Sequence, residues 1–397
     1  MDLSSRISSF QASPIRRLVP YANEAKRKGI HVYYLNIGQP DIKTPPQVLE
    51  AIRGYNHEII AYGQSEGDEE LRQALPEYYR QYNVEVKPEN IMVTTGGSEA
   101  IQFTLMTLCD PLDEVIVPEP YYTNVGSFAK GAGVVLKSVT SRFEEGFSLP
   151  DISEFEKKIN DKTRAIMICS PNNPTGYIYS KQELQQLLDL VKKRDLFLIV
   201  DEVYREFCYD GHEFISALTF TEYSDRVIVV DSFSKRYSMC GARIGSLVTK
   251  NQDVIDGAIK LAQARLCPPD IEQTAALAAL QTPLSYIKEV QGEYQKRRDF
   301  LVKELHTIAG VDCSMPKGAF YLIAKLPVAD AEDFCLFLLK DFSYQNQTLM
   351  LAPANGFYVD ESLGKDEVRI AYVLNEEDLR NAMLCLRVAL EEYKTRE

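Results

Sequence analysis

The chain has 397 residues, of which 45% are hydrophobic and 25% charged, a composition typical of a soluble globular protein rather than a disordered one. Because a single hydrophobic core stops growing at about 250–300 residues, this length predicts two domains. The formal net charge of −13 argues against nucleic acid as a partner, since binding a phosphate backbone requires clustered lysine and arginine.

The eight cysteines and four histidines are scattered along the chain. They form no CxxC pair, no metal-ligand spacing and no His-centred triad, so we expect buried thiols in a reducing compartment and no metal site. The N-terminal residues lack an uninterrupted apolar core, and no apolar run reaches membrane-spanning length. These features predict a cytoplasmic protein without a membrane partner.

The N-terminal region contains one predicted helix and a short extended segment. Residues 14–29 have an amphipathic pattern that predicts a helix ending at Gly29, and residues 32–37 form the extended segment. Gly38 follows it, either in a simple turn or at a point where the backbone approaches a ligand closely. Farther along, Pro76 interrupts a helical pattern and is expected to kink or break that helix, at a cost of roughly 3 kcal/mol.

A glycine pair then opens a helix directly after a predicted strand. Residues 91–94 are rich in β-forming residues, and Gly96, Gly97 and Ser98 follow them. This geometry directs unpaired backbone N–H groups at an anion, although Ser98 could equally serve only as a helix cap. The dinucleotide fingerprint GxGxxG is absent.

From here strands and helices alternate, which predicts a mostly parallel sheet with ligands at the carboxyl ends of its strands. Three candidates fall at such ends: the Pro/Asn/Gly-rich turn of residues 170–176, the acid Asp201 and the lysine Lys235. We therefore expect them to share one crevice. A buried carboxylate such as Asp201 requires a partner.

The C-terminal part begins with a long charged helix predicted over residues 284–309. Shorter strands and helices follow, which indicates a second, smaller α+β domain. Arg369 lies within one of these strands, so we expect it to face either the cleft or an internal ion pair.

Three motifs together carry a family resemblance. Ser-Pro-Asn-Asn-Pro-Thr-Gly (170–176), Asp-Glu-Val-Tyr (201–204) and Ser-Phe-Ser-Lys (232–235), the last followed by Arg243, occur in this order. With them the chain resembles, over essentially its whole length, the class I/II aminotransferases of the pyridoxal-phosphate fold-type I superfamily.

The resemblance implies an architecture, a cofactor and an assembly. The fold would be α/β, with a large cofactor-binding domain (residues 45–285) whose mostly parallel seven-stranded sheet is sandwiched by helices. Residues 1–44 and 286–397 would form the smaller α+β domain. Pyridoxal 5′-phosphate would be the cofactor, and the protein would be a homodimer with shared active sites.

The resemblance also assigns roles to individual residues. Lys235 would attach the cofactor and then act as general base, with Asp201 holding the ring nitrogen protonated and Tyr204 hydrogen-bonding the ring hydroxyl. Substrate would bind through Gly38, Asn173 and the Arg369 guanidinium, which grips the α-carboxylate. The cofactor-binding residues would be Gly97, Ser98, Tyr122, Asn173, Asp201, Tyr204, Ser232, Ser234, Lys235, Arg243 and Tyr62, the last reaching the neighbouring subunit's phosphate.

The expected activity is transfer of an amino group between an L-amino acid and 2-oxoglutarate by a ping-pong mechanism. Aspartate is the expected amino acid, from general resemblance to bacterial aspartate aminotransferases. Some of these have lysine after the Gly-Gly pair, where this chain has Ser98, so the group that binds a distal carboxylate is unidentified. The alternatives are an aromatic or broad-range aminotransferase and a carbon–sulfur β-lyase using the same cofactor.

Overall fold

The computed structural model describes residues 3–8, 10 and 12–395 of the chain. Within them the strands are, in chain order, β1 (His31–Tyr34), β2 (Ile91–Thr94), β3 (Glu114–Glu119), β4 (Val135–Thr140), β5 (Thr163–Cys169), β6 (Phe197–Asp201), β7 (Val227–Ser232), β8 (Gly245–Val248), β9 (Asp312–Cys313), β10 (Tyr321–Lys325), β11 (Gln347–Met350), β12 (Ala352–Pro353) and β13 (Glu367–Ala371). The α-helices are α1 (Ser5–Ser8), α2 (Val19–Arg27), α3 (Pro46–Arg53), α4 (Glu69–Arg80), α5 (Gly96–Leu108), α6 (Asn124–Ala132), α7 (Ile152–Lys158), α8 (Lys181–Lys193), α9 (Gln252–Arg265), α10 (Asp270–Ala279), α11 (Leu284–Leu305), α12 (Ala331–Lys340) and α13 (Glu376–Lys394).

The largest sheet has seven strands in the order β2-β8-β7-β6-β5-β3-β4. Strand β8 runs antiparallel to both of its neighbours, and the other adjacent pairs are parallel. Every residue of β3 and β7 is buried, as expected where helices cover both faces of a sheet. The predicted mostly parallel α/β sheet is confirmed.

Helix α8 shows how local sequence positions the helices that cover the sheet. The Ser180 Oγ accepts a hydrogen bond from the Glu183 N–H at 3.2 Å, and the Glu183 carboxylate accepts one from the Ser180 N–H at 2.8 Å. This reciprocal capping box satisfies two free N–H groups at the helix start. Leu184, Leu187 and Leu188 are buried on one side of the helix, so the cap fixes the point from which an apolar face packs on the core.

Two smaller sheets complete the smaller α+β part of the fold. Strands β12, β13, β10 and β9 form a four-stranded antiparallel sheet, and β1 pairs in parallel with β11. The β1–β11 pair joins residues near the start of the chain to residues near its end. One hydrophobic core accordingly contains residues from α2, β1, α11, α12 and α13.

The prediction of a helix over residues 14–29 is wrong at its start. Helix α2 begins only at Val19, with Pro20 near its N-terminus. Proline is tolerated there because N–H groups of the first turn have no acceptor within the helix, so the missing N–H costs nothing. Before it the chain makes a turn, in which the Arg16 and Arg17 N–H groups both donate to the Ser13 carbonyl, at 3.0 and 2.8 Å. The residues before α2 are therefore available to line another part of the molecule.

Pro76 does not break its helix. Helix α4 continues past it to Arg80, and Leu75, Tyr78 and Tyr79 around it are buried. The apolar contacts of this face outweigh the local cost of the missing N–H.

Two compositional features have clear structural counterparts. All eight cysteines lie among the described residues, each as a free thiol, and five of them are buried. In the part of the chain that the structure describes, no helix combines the length and the apolarity needed to cross a bilayer.

Candidate active site

A cavity of about 630 Å³ opens at the carboxyl ends of β5, β6 and β7. The turn at Asn173, the acid Asp201 and the lysine Lys235 all line it, so the three candidates predicted to share one crevice do so. Every other predicted site residue except Tyr62 also lines this cavity: Gly38, Gly97, Ser98, Tyr122, Tyr204, Ser232, Ser234, Arg243 and Arg369.

Lys235 follows strand β7 and points into the cavity. Its Nζ donates a hydrogen bond to the Gly38 carbonyl at 2.8 Å and lies 3.7 Å from the Cys240 sulfur. Burial disfavours the ammonium form, but the neighbouring Tyr321, Cys240 and Tyr122 outweigh burial and raise the pKa of Lys235 above its usual value. The amine is thus held at a fixed place by one backbone contact.

Asp201 is the last residue of β6 and is buried at the end of the apolar strand. Its Oδ1 accepts a hydrogen bond from the Val203 N–H at 3.2 Å, and it forms no ion pair with any described residue. Burial raises the pKa of Asp201 to about 7. The carboxylate therefore faces the cavity without the cation that a buried acid requires.

Asn173 and Tyr204 form a polar wall beside this acid. The Asn173 Nδ2 donates to the Tyr204 hydroxyl at 3.4 Å, and that hydroxyl lies 3.0 Å from the hydroxyl of Tyr321. Burial keeps the pKa of Tyr204 well above its usual value, so the phenol remains protonated and can donate a hydrogen bond.

Helix α5 begins at the cavity against the connection between β7 and β8. Gly96 has a φ of +74°, and a Cβ there would lie 2.6 Å from the Arg243 guanidinium. The Ser232 Oγ donates to the Ser234 Oγ at 2.8 Å, and both hydroxyls line the same end of the cavity. A helix start, two hydroxyls and a guanidinium together form a site for an anion.

Arg369 lies on β13 with its side chain buried against the cavity. Its Nη1 donates to the Asn173 Oδ1 at 2.9 Å, its Nη2 donates to the Asn36 carbonyl, and its Nε has no hydrogen-bond partner among the described residues. Burial lowers the pKa of Arg369. Of the two predicted environments, the structure shows the cleft rather than an internal ion pair, and the guanidinium is free to accept a carboxylate.

Tyr122 lines the cavity, and burial raises its pKa. Its hydroxyl accepts a hydrogen bond from the Asn124 Nδ2 at 2.7 Å, which holds the ring in place at the wall.

Tyr62 is the one predicted site residue that a single chain does not bring to the cavity. Its side chain is 80% exposed, on a stretch where Ile59 and Ile60 are exposed as well. The contact of Tyr62 with a neighbouring subunit stays a prediction.

Several residues of the cavity wall were not predicted from the sequence, among them Tyr321 and Arg16. A Cβ on Gly38 would lie 1.7 Å from the Tyr321 hydroxyl, so Gly38 must be glycine to let this ring reach the cavity. Arg16, which lies in the turn before α2, lines the cavity as well. The proline at residue 14, followed closely by a second at residue 20, was the signal that the helix starts late and that Arg16 lies outside it.

Comparisons with known proteins identify the family of this chain. The family model for aminotransferase class I and II matches residues 30–385. A probable aspartate/prephenate aminotransferase of Aquifex aeolicus is 32% identical over 98% of this chain and 99% of its own length.

Solved structures are similar over the whole chain. The aspartate aminotransferase of Thermotoga maritima superposes with a TM-score of 0.89 at 33% identity, covering 98% of this chain and 100% of its own. The alanine aminotransferase of Pyrococcus furiosus gives a TM-score of 0.87 at 33% identity with the same coverage.

Proposed function

Because this chain belongs to the class I and II aminotransferases and is a transaminase, we propose that it transfers an amino group between L-aspartate and 2-oxoglutarate with pyridoxal 5′-phosphate as cofactor. One observation carries the proposal. Lys235, Asp201 and Arg369 line the same cavity. Asp201 is a buried acid with no cation among the described residues, and Arg369 is a buried guanidinium with no carboxylate among them. Several relatives of this chain are aspartate aminotransferases, which supports aspartate as the amino acid.

The residues present fit the cofactor. When bound, pyridoxal phosphate supplies an electron-accepting ring that stabilises negative charge developing at the substrate Cα. Asp201 would pair with the protonated ring nitrogen, a cation that the described residues do not provide for this buried carboxylate. Tyr204 and Asn173 would bind the ring hydroxyl, and Tyr122, which lines the same cavity, would contact the ring.

The phosphate binds at the other end of the cavity. The residues that would hold it line this end together: the backbone N–H groups of Gly97 and Ser98, the hydroxyls of Ser232 and Ser234, and the Arg243 guanidinium. A helix N-terminus and an arginine both favour such a charge, so the site anchors the cofactor without contacting the reacting carbon.

Substrate is bound and activated by three residues. Arg369 takes the α-carboxylate in a bidentate grip close to Gly38, which orients the Cα–H bond relative to the ring. Lys235 would hold the cofactor until a substrate amine displaces it, and its freed Nζ would then act as general base, carrying the proton from the substrate Cα to the cofactor's C4′ carbon. The first keto acid leaves before the second one binds, so the kinetics are ping-pong.

The proposed domain boundaries are those that the family resemblance implies. The large domain comprises residues 45–285, and residues 1–44 and 286–397 form the small one. Residues 1, 2, 9, 11, 396 and 397 of the small domain lie outside the described residues. The parallel pairing of β1 with β11 supports joining the N-terminal and C-terminal segments in one domain.

Two subunits associate so that Tyr62 of each reaches the partner's phosphate site, and the exposed Ile59 and Ile60 become covered.

The direct test is a panel of amino acids assayed with 2-oxoglutarate, using protein loaded with pyridoxal phosphate. Aspartate should rank first, and glutamate should form with parallel-line kinetics. Lys235→Ala should lose turnover, and borohydride should fix the cofactor covalently to the wild-type chain but not to this variant. Release of ammonia and pyruvate from cysteine-type substrates without use of a keto acid would show the β-lyase instead.

A further inference from the structure

The charged residues of the active-site cavity include one cation without a role. Among the described residues, the basic side chains that line the cavity are Arg16, Lys235, Arg243 and Arg369, and the only acidic one is Asp201. The proposed function assigns cofactor attachment, the phosphate and the α-carboxylate to three of these cations. Arg16 forms no ion pair with any described residue, so no described carboxylate balances its charge.

The turn that carries Arg16 is fixed on the wall of the cavity. Ile15 is 7% exposed and packs in a small apolar cluster with Phe357 and its neighbours, and its carbonyl accepts a hydrogen bond from the Asn36 Nδ2 at 2.6 Å. On the other side, Arg17 pairs with Glu332 at 2.6 Å. Both neighbours of Arg16 are therefore held in place, and Arg16 itself extends from an anchored backbone toward the cavity.

The same wall holds the arginine proposed to bind the α-carboxylate. The Asn36 carbonyl accepts a hydrogen bond from Arg369, while the Asn36 side chain holds the backbone of Ile15. One buried asparagine thus connects the segment of Arg16 to the side chain of Arg369. Two guanidinium groups on connected segments line the same cavity, and no carboxylate among the described residues pairs with either.

We propose that Arg16 binds the second carboxylate of a dicarboxylic substrate, so that the enzyme selects aspartate, glutamate and their keto acids over monocarboxylic ones. This inference rests on the proposed function, because Arg369 must hold the α-carboxylate. A planar guanidinium suits a carboxylate through two parallel hydrogen bonds. Arg16 is exposed, so it can receive the ligand without the large desolvation cost of a buried charge.

The experiment measures the half-reaction of the amino acid in the absence of 2-oxoglutarate. This keto acid is itself dicarboxylic, so its own binding to Arg16 would obscure the effect on the amino acid. Wild type, Arg16→Gln and Arg16→Lys, each loaded with pyridoxal phosphate, are mixed with aspartate, glutamate or alanine alone, and the cofactor absorbance is followed in single turnovers. Losing hydrogen bonds to a charged group should lower kcat/KM for aspartate and glutamate by about ten- to a hundredfold in Arg16→Gln. Alanine should change less than about twofold, and Arg16→Lys should recover part of the loss.

A binding measurement makes the result independent of turnover. Calorimetric titration of the loaded proteins with succinate should show about tenfold weaker binding in Arg16→Gln, and butyrate, which has the same number of carbons, should bind both proteins equally. Arg27→Gln is the control, because it removes the same charge from the nearby exposed face of α2.

Equal succinate affinity in wild type and Arg16→Gln would overturn the inference, even if aspartate remained the best substrate. Equal losses for aspartate and alanine would overturn it as well, because they would indicate a general disturbance of the site. If no amino acid reacts with the wild-type protein, the proposed function is wrong, and the succinate titration still decides the role of Arg16.

Discussion

At the scale of single residues, the site contains charged groups that no described residue neutralises. Asp201 has a pKa of about 7 because it is buried, and Arg369 has a lowered pKa for the same reason. Burying the charged form of each group costs free energy, and no ionic partner among the described residues offsets that cost in the free protein. Such groups are expected where a ligand provides the opposite charge.

The raised pKa of Asp201 predicts a pH dependence of folding. The ordinary value for this carboxyl is 3.8, so between about pH 4 and pH 7 the folded state holds a proton that the unfolded chain releases. The free energy of unfolding of cofactor-free protein should therefore fall as pH rises through this window. In Asp201→Asn the fall should be smaller, as measured by urea denaturation at several pH values.

Glu202 provides an internal reference for that experiment. Burial also raises its pKa to about 7, and it contributes the same slope in wild type and variant. Identical slopes for the two proteins would contradict the assignment of the raised pKa to Asp201.

Most site residues could be predicted because they belong to contiguous motifs that end strands, as Asp201 and Lys235 do. Arg16 and Tyr321 could not, because their place in the cavity depends on contacts between distant parts of the chain. Tyr321 reaches the cavity only where Gly38 makes room for it, and no local pattern connects residues 38 and 321. Tyr62 was predicted only through a partner subunit, and its role stays a prediction.

At the scale of elements, the antiparallel strand β8 organises the end of the cavity that we propose binds the phosphate. It lies between β2 and β7, so the connection from β7 to β8 passes directly against the start of α5, which follows β2. Lys235 and Arg243 lie on this single connection. Strand types and approximate bounds followed from hydrophobic patterns, but the insertion of β8 between β2 and β7 did not, because strand order depends on long-range pairing.

Gly245, at the start of β8, tests how closely these elements must pack. A Cβ there would lie 2.6 Å from the Asp231 carbonyl and 2.7 Å from the Gly97 nitrogen, both backbone atoms that cannot swing away. Gly245→Ala should lower the free energy of unfolding by about 1–3 kcal/mol and weaken binding of pyridoxal phosphate, measured by denaturation and by titration of cofactor absorbance.

Gly292 in helix α11 is the matched control, since an added Cβ meets nothing within 4 Å. Gly292→Ala should stabilise the protein by about 0.5–1 kcal/mol and leave cofactor binding unchanged. A Gly245→Ala protein as stable as wild type would show that α5 and β8 can separate without cost.

At the scale of the whole molecule, residues near the start of the chain contact residues of its C-terminal part beside the active site. Strand β1 pairs with β11, and Asn36 just after β1 connects the turn before α2 to Arg369 near the C-terminus. The N-terminal residues are therefore part of the site rather than an appendage. The sequence predicted the smaller α+β part, but it placed residues 14–18 in a helix and so hid this contact.

Asn36→Ala tests the connection. The change leaves the buried Ile15 carbonyl without its donor, which should lower the free energy of unfolding by about 1–3 kcal/mol. The released turn should also become a faster site for trypsin at Arg16 and Arg17, as followed by mass spectrometry of the fragments. Cleavage that speeds up equally at all sites would indicate global unfolding instead.

The hydrogen bond from Lys235 Nζ to the Gly38 carbonyl has a further consequence, for communication between cofactor and chain. A free ammonium group donates a hydrogen bond to that carbonyl. The same nitrogen could not keep this contact unchanged once the proposed cofactor is bonded to it. We therefore expect the backbone at Gly38, near Asn36 and Tyr321, to respond to the covalent state of a lysine 197 positions away in sequence. Amide exchange around residue 38 would report cofactor loading directly, as a signal built into the main chain.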